Sequence, residues 1–322
     1  MTAHSTRKGK SRYKLINWPE YNKSLVNRGK ITVWFSEDAI KDWHPHIEKK
    51  PRGGQELYSP AAIQTCLTIK HLFKLGYRQT EGFMTSLIEM LDVAITSPEF
   101  STISRRSIDL EIVSSLGKLE GDIDVLVDST GLKVYGAGEW CEAKHGKTKR
   151  RKWKKLHLAV DKDTQDIVAS TLTDEHMSDP SQVLPLLDKV DTNITSFSAD
   201  GVYEGIDIRK GLEGRNIKCI VPPPSNAVLS KDSTTSPTQR DLDIMRIQKD
   251  GRKIWEYASG YSKRNMVENA MFRFKQIIGD KLRSRSENRQ GTEIAIHILN
   301  KMVKLGKKIR TLDVRFLRLI QN

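Results

Sequence analysis

The chain has 322 residues, 37% hydrophobic and 29% charged, and its 54 Lys and Arg outnumber 40 Asp and Glu to give a formal net charge of +14. No apolar run is long enough to span a bilayer and no signal-peptide pattern opens the chain, so the excess charge points to a polyanion, most often nucleic acid, rather than to a membrane role. Three cysteines, Cys66, Cys141 and Cys219, are far apart, form no Cys-x-x-Cys pair and argue for a reducing cytosol, each reading as a small buried hydrophobe.

Residues 1–30 carry eight Lys and Arg and one acid, Glu20, which predicts a basic arm whose end Trp18 and Tyr21 tack onto the body. From 36 to about 112 the pattern is helical. "SPAAIQTCLTIKHLFKLG" predicts a helix with Ser59 as N-cap, Pro60 at the first position and Gly76 as the stop, burying Ile63, Leu67 and Leu75. "TEGFMTSLIEML" spaces Phe83, Leu87 and Leu91 by four, and in "SPEFSTISRRSIDL" Ser101 or Thr102 can cap a short helix carrying Arg105 and Arg106. Short helices ending in a basic, hydroxyl-rich one resemble a helix-turn-helix; a plain helical packing domain fits the same pattern.

At 123 the period changes. "IDVLVDSTGLKVYG", "KLHLAVD" and "DIVASTL" alternate as strands do. "DPSQVLPLLDKV" reads as a helix with Asp179 as N-cap and Gln182 completing a capping box. "ITSFSADG" is a strand ending at Asp200, "YEGIDIRKGLEG" a helix and "IKCIVPPP" a strand broken by proline. The order is three strands, helix, strand, helix, strand, followed by a Ser/Thr-rich surface loop over 225–238. The tail from 281 holds eleven Lys and Arg against three acids, with "IAIHILNKMVKL" as a last amphipathic helix.

Between loop and tail lies "YSKRNMVENAMFRFK". On a helix, with Glu268 as zero, Tyr261 lies at ~+20°, Arg264 at ~−40° and Lys275 at ~−20°, beside an apolar stripe of Val267, Met271, Phe274 and Ile278. Taken alone, Arg264 and Glu268 form an i,i+4 pair on a salt-bridged surface. The rest of the chain adds two isolated acids: Asp128 at the end of the first strand and Asp200 at the end of the fourth. Sites gather at strand ends in open α/β sheets. Three carboxylates converging there suit Mg²⁺, which takes hard oxygen ligands and keeps positions for water and phosphate. Two such ions about 3.5–4 Å apart can stabilise both the attacking and the leaving oxygen of a phosphodiester.

The element order resembles the ribonuclease H-like catalytic domain of DDE-class transposases. Tyr261, Arg264, Glu268 and Lys275 reproduce the Tyr-x2-Arg-x3-Glu-x6-Lys signature of a large group of bacterial insertion-sequence transposases. "VDSTGLKVYG" looks like the segment of their first Asp and "ADGVYEG" like that of their second. "RYKLINWPEYNKSLVNRG" and "WFSEDAI" resemble their N-terminal region. The resemblance implies an α/β fold: a mixed sheet flanked by helices, preceded by a small all-helical DNA-binding domain. The expected division is a basic arm over 1–30, a helical domain over 31–118, a catalytic domain over 119–282 and a basic helical tail over 283–322. It implies that Asp128, Asp200 and Glu268 bind two Mg²⁺ ions, with Mn²⁺ as a substitute. Arg264 and Lys275 would then face DNA phosphate, with the Tyr261 hydroxyl holding the strand. It also implies double-stranded DNA as partner, a homodimer or larger assembly on DNA, and a cytoplasmic protein of the bacterial nucleoid.

"KHGKTKRRKWKK" places eight Lys and Arg in twelve residues just after the first strand, so Lys149, Arg150, Arg151 and Lys152 are expected to touch phosphate rather than form a solvated charge run. His44 and His46 read as surface residues, and Asp124, Asp161, Asp174, His176 and Glu204 as structural or supporting groups. A ribonuclease H-like nuclease that cuts without joining, and a non-catalytic DNA-binding protein derived from a transposase, are the competing functions.

Overall fold

The protein is described by a computed structural model over residues 13–45, 53–108, 110, 121–134, 153–284, 286–307 and 310–312. After a short strand β1 (Tyr13–Leu15) come α1 (Trp18–Arg28), α2 (Ile31–Trp34), α3 (Glu37–Lys41), α4 (Pro60–Leu72), α5 (Tyr77–Met90) and α6 (Phe100–Arg106). The start of α4 is as predicted: Ser59 Oγ accepts the Ala62 N–H at 3.1 Å, ahead of Pro60. Its end is not. The helix stops at Leu72, Lys74 takes a left-handed φ of 56°, and Gly76 opens α5, where Gln79 Oε1 accepts the Gly76 N–H at 2.8 Å. Nor is α6 capped by Ser101 or Thr102, because Glu81 reaches across from α5 to accept the Phe100 N–H at 2.8 Å. Trp34, Trp43, Ile63, Cys66, Met84 and Ile103 make the core of this helical cluster.

The sheet follows: β2 (Ile123–Val134), β3 (Trp153–Asp161), β4 (Ile167–Asp174), a 3₁₀ turn and α7 (Val183–Leu187), β5 (Ile194–Ser198), α8 (Ile206–Glu213) and β6 (Lys218–Ile220). Then come α9 (Gln239–Asp250), α10 (Arg252–Ala258), a 3₁₀ turn (Tyr261–Arg264), α11 (Asn265–Ile277), β7 (Lys281–Leu282), α12 (Glu287–Glu293), α13 (Ile296–Lys304) and β8 (Arg310–Leu312). The strand order is β4-β3-β2-β5-β6, with β2, β3 and β4 antiparallel, β5 and β6 running parallel to β2, and β7 added beside the end of β2. β1 and β8 pair separately. This is the predicted mixed sheet flanked by helices.

Alternation along β2 builds two layers around the sheet. Leu126 and Leu132, with Leu156, Leu158 and Val160 of β3, pack under Val267, Ala270, Met271 and Phe274 of α11, the stripe read from the sequence. Val125 and Val127 face the other way, onto Val183 and Leu186 of α7 and Ile208 and Leu212 of α8. α13 joins the two parts of the molecule: Ile298 and Met302 enter the helical core and Leu299 the α11 layer.

Two further local expectations fail. The helix expected from Asp179 is a 3₁₀ turn followed by five α-helical residues. Asp179 does not cap it, because its carboxylate accepts Ser129 Oγ at 2.8 Å and Lys155 Nζ at 3.0 Å. The continuous helix expected from Tyr261 begins only at Asn265.

Candidate active site

Asp128 does not end β2; it is the sixth of that strand's twelve residues. It does mark the end of the parallel pairing. Leu126 is level with Ser198, the last residue of β5, so two steps on Asp128 is level with Asp200, just past the strand. Asp128 shares the parity of Leu126 and Leu132 and therefore faces the α11 layer. Asp200 begins a 3₁₀ turn, its Oδ1 accepting the Val202 N–H at 3.0 Å. Glu268 sits in the first turn of α11 with its side chain half exposed.

Arg264 ties Asp128 to Glu268. Its Nη2 donates to Glu268 Oε1 at 2.6 Å and its Nη1 lies 3.5 Å from Asp128 Oδ2, with only 17% of the side chain exposed. Burial raises the Asp128 carboxyl above its usual range. The Ser129 N–H, bonded at 2.8 Å, and Arg264 oppose that, while Asp200 and Glu268 add to it. Asp200 and Glu268 thus each lie within electrostatic reach of Asp128. Tyr261 packs against Trp255 with ring centroids 5.7 Å apart. Burial raises its hydroxyl, Arg264 works against this and Asp200 adds to it. Lys275 is exposed farther along α11. So Asp128, Asp200, Glu268, Arg264 and Tyr261 come together, with Lys275 beyond them.

The donor set is oxygen only, which suits a hard divalent ion. Among the described residues no group of three or more Asp, Glu, His and Cys side chains closes on a common point, and the Arg264 guanidinium stands between Asp128 and Glu268.

Other sequence candidates fall elsewhere. Lys149, Arg150, Arg151 and Lys152 lie outside the described residues, as do Cys141 and His46. Of the same basic run, Trp153 starts β3 with Lys133 5.5 Å over its ring, Lys154 pairs with Asp174 and Glu287, and Lys155 with Asp179. Arg105 is exposed on α6, whereas Arg106 is bonded to the Tyr58 carbonyl and lies 3.0 Å from Glu56. Glu204 is held by Arg240 at 2.6 Å and Arg209 at 3.5 Å, and Asp124 by Lys162 and Ser196, as structural groups are. His44 Nδ1 lies 2.8 Å from the Leu57 carbonyl oxygen. The Ser129–Asp179–Lys155 clamp, which fixes β2 from the far face next to Asp128, was missed. Its only sequence signal was a hydroxyl adjacent to the acid.

Asp128 and Asp200 thus stand side by side where the parallel pairing of β2 and β5 ends. The sequence matches the family described as "Transposase DDE domain" over residues 26–137 and again over 120–301. The second match spans more than half of the chain, and the chain belongs to the DDE transposases. Two solved structures show a distant likeness. One is the cryo-EM structure of the piggyBac transposase synaptic complex with hairpin DNA, at 10% identity and TM-score 0.40, covering 91% of this chain and 77% of that one. The other is the crystal structure of a pre-cleavage Mos1 transpososome, at 11% identity and TM-score 0.21, covering 82% and 83%. No helix of the described residues is long and apolar enough to cross a membrane.

Proposed function

We propose that this transposase binds duplex DNA at the terminal inverted repeats of an insertion sequence, cuts phosphodiesters there and joins the freed 3′ ends to target DNA. The observation that supports this reading is the pairing of Arg264 with both Asp128 and Glu268, from distant parts of the chain, with Asp200 level with Asp128 at the end of the parallel strands. These three carboxylates would hold two divalent ions, Mg²⁺ by preference and Mn²⁺ in its place. Bound there, the ions would supply a nucleophile from water at neutral pH and offset charge on the leaving oxygen. Arg264, drawn off the carboxylates, would turn its planar fork to a phosphate of the cut strand. Lys275 would contact the next phosphate as a point charge, and the Tyr261 hydroxyl would hold the strand.

Residues 31–118 would read the element ends, with Arg105 the better placed of the two α6 arginines. Residues 1–30 and the basic residues after 283 would hold the backbone, as would Lys149, Arg150, Arg151 and Lys152 beside the catalytic unit 119–282. Pairing two ends requires at least a dimer on DNA, acting at the nucleoid in the cytoplasm. The test uses purified protein, Mg²⁺ and a duplex carrying the DNA that flanks the gene. Nicks leaving a 3′-hydroxyl at the element boundary, and joining of pre-cut ends into a plasmid, are expected. Cutting without joining would establish the nuclease instead; binding with neither reaction would overturn the catalytic reading.

A further inference from the structure

Four cations meet where the helical cluster abuts the sheet. Lys70 and Lys74 come from the carboxyl end of α4, Lys281 from β7, and Arg283 from just after it, and together they line one small notch beside Ile278. Among the described residues none of the four is in an ion pair, although Lys154, Lys155, Lys162, Arg240 and Arg264 all are. The one carboxylate lining the notch is already engaged: Glu293 accepts the Arg283 N–H at 2.7 Å and Ser284 Oγ at 2.6 Å. Two of the cations are also held in place. Lys70 lies 4.8 Å over the Tyr77 ring, and Arg283 Nη1 donates to the Lys74 carbonyl at 3.3 Å.

Favourable placement at helix ends accounts for part of this. The carboxyl ends of α4 and α11 contribute about half a negative charge each, and Glu293 one more, which leaves the notch about two charges positive. The fold bears a cost for this. Burial lowers the Lys70 pKa, Glu293 works against that and Arg283 adds to it. Burial pushes neighbouring His71 down to about 3, with Lys70, His297 and Arg283 adding to the effect.

The notch is in line with the candidate site. Ile278 lies ten residues past Glu268 along α11, about 15 Å at the helical rise. Along β2, Asp128 is five residues from Lys133, the partner of Lys281, about 16 Å at the strand rise. Exposed Lys275 lies between. A duplex climbs about 3.4 Å per step along one strand, so this span is about four to five steps. We propose that the notch of Lys70, Lys74, Lys281 and Arg283 grips a backbone phosphate of the DNA whose strand enters the site, about four to five steps from the bond that is cut. This rests on the DNA-processing reading above, and the notch itself is not carried by the family signature.

The test compares two triple variants: Lys74→Gln, Lys281→Gln and Arg283→Gln at the notch, and Lys210→Gln, Lys231→Gln and Lys249→Gln at exposed sites elsewhere. Affinity for a short duplex of arbitrary sequence is measured against salt. The notch variant should lose about 0.9 from the log–log slope for each phosphate contact removed, and the control variant nothing. An unchanged slope in the notch variant, or an equal change in both, overturns the notch while wild-type binding keeps the functional reading. A wild-type chain that does not bind duplex overturns the reading itself. If the notch variant is unfolded by thermal melting, the same question goes to the wild type by lysine acetylation with and without DNA. Shielding of Lys70, Lys74 and Lys281 beyond that of Lys210 and Lys231 supports the notch, and equal labelling overturns it.

Discussion

Arg264 is a cation held by two acids, at 2.6 Å from Glu268 and 3.5 Å from Asp128, in a position that a divalent ion would contest. Arg264→Gln keeps a planar donor and removes the charge. In DNA-free protein it should raise Mn²⁺ affinity measured by titration calorimetry, since the competing cation is gone, while cleavage falls because a phosphate contact is lost. Unchanged Mn²⁺ affinity would show that the arginine does not compete for the carboxylates. Glu268→Gln should behave in the opposite sense: near-normal folding and DNA binding, no cleavage and no joining. Because Glu268 is half exposed, its replacement should not unfold the chain. Cleavage at close to the wild-type rate would return this helix edge to a surface salt bridge. Tyr261→Phe should be mildest, losing one hydroxyl worth about 0.5–1.5 kcal/mol in strand binding.

At the scale of elements, the edge strand β4 is covered by a side chain. Asn300 of α13, fully buried, donates to the Ile167 carbonyl at 2.9 Å and accepts the Ile167 N–H at 2.8 Å, so one amide completes the ladder where another strand would pair. Asn300→Ala would leave both Ile167 groups without that partner and should cost about 2–4 kcal/mol in urea unfolding; a change below about 0.5 kcal/mol would mean water replaces the amide. Nothing in "IAIHILNKMVKL" announces this role, because the contact joins residues 133 positions apart. What the sequence made legible was periodic: the strands β2 to β6, and the stripe of Val267, Met271 and Phe274. The segment "QRDLDIMRIQKD" of α9 hid because it buries Asp241 and Asp243 with its apolar Ile244. Asp241 accepts bonds from Ser230 and Thr238, so hydrogen bonds anchor that helix and the loop before it. Likewise, helical bearings placed Arg264 near Glu268, but its reach to Asp128 belongs to the tertiary fold.

At the scale of the whole molecule, α13 locks the helical cluster to the sheet, and His297 lies in that seam. It is 6% exposed, with Nε2 2.8 Å from Thr68 Oγ1 of α4. Burial, with Lys301 adding, pushes its pKa down to about 4 from 6.5. Lys70 and His71 lie in the same region of α4. In the unfolded chain His297 takes up a proton below about pH 6.5; in the folded chain it does so only near 4. Its contribution is therefore retained above 6.5 and lost as pH falls toward 4, on the order of 2 kcal/mol by pH 5. His297→Asn should flatten the decline in unfolding free energy between pH 7 and 5; an unaltered decline would assign it to other groups.

The same seam has a consequence for the order of synthesis. The helical cluster receives Ala295, Ile298 and Met302 from a segment that begins 189 residues after α6 ends. At about 5–20 residues per second the ribosome takes about 10–40 s to supply it. Until then the half of the molecule proposed to find DNA ends lacks part of its core. A copy whose reading frame stops early should yield no stable end-binding fragment to compete with intact transposase. Expression of residues 1–293 should give an insoluble or protease-sensitive product, and a soluble fragment with a cooperative melt would show that the cluster closes without α13.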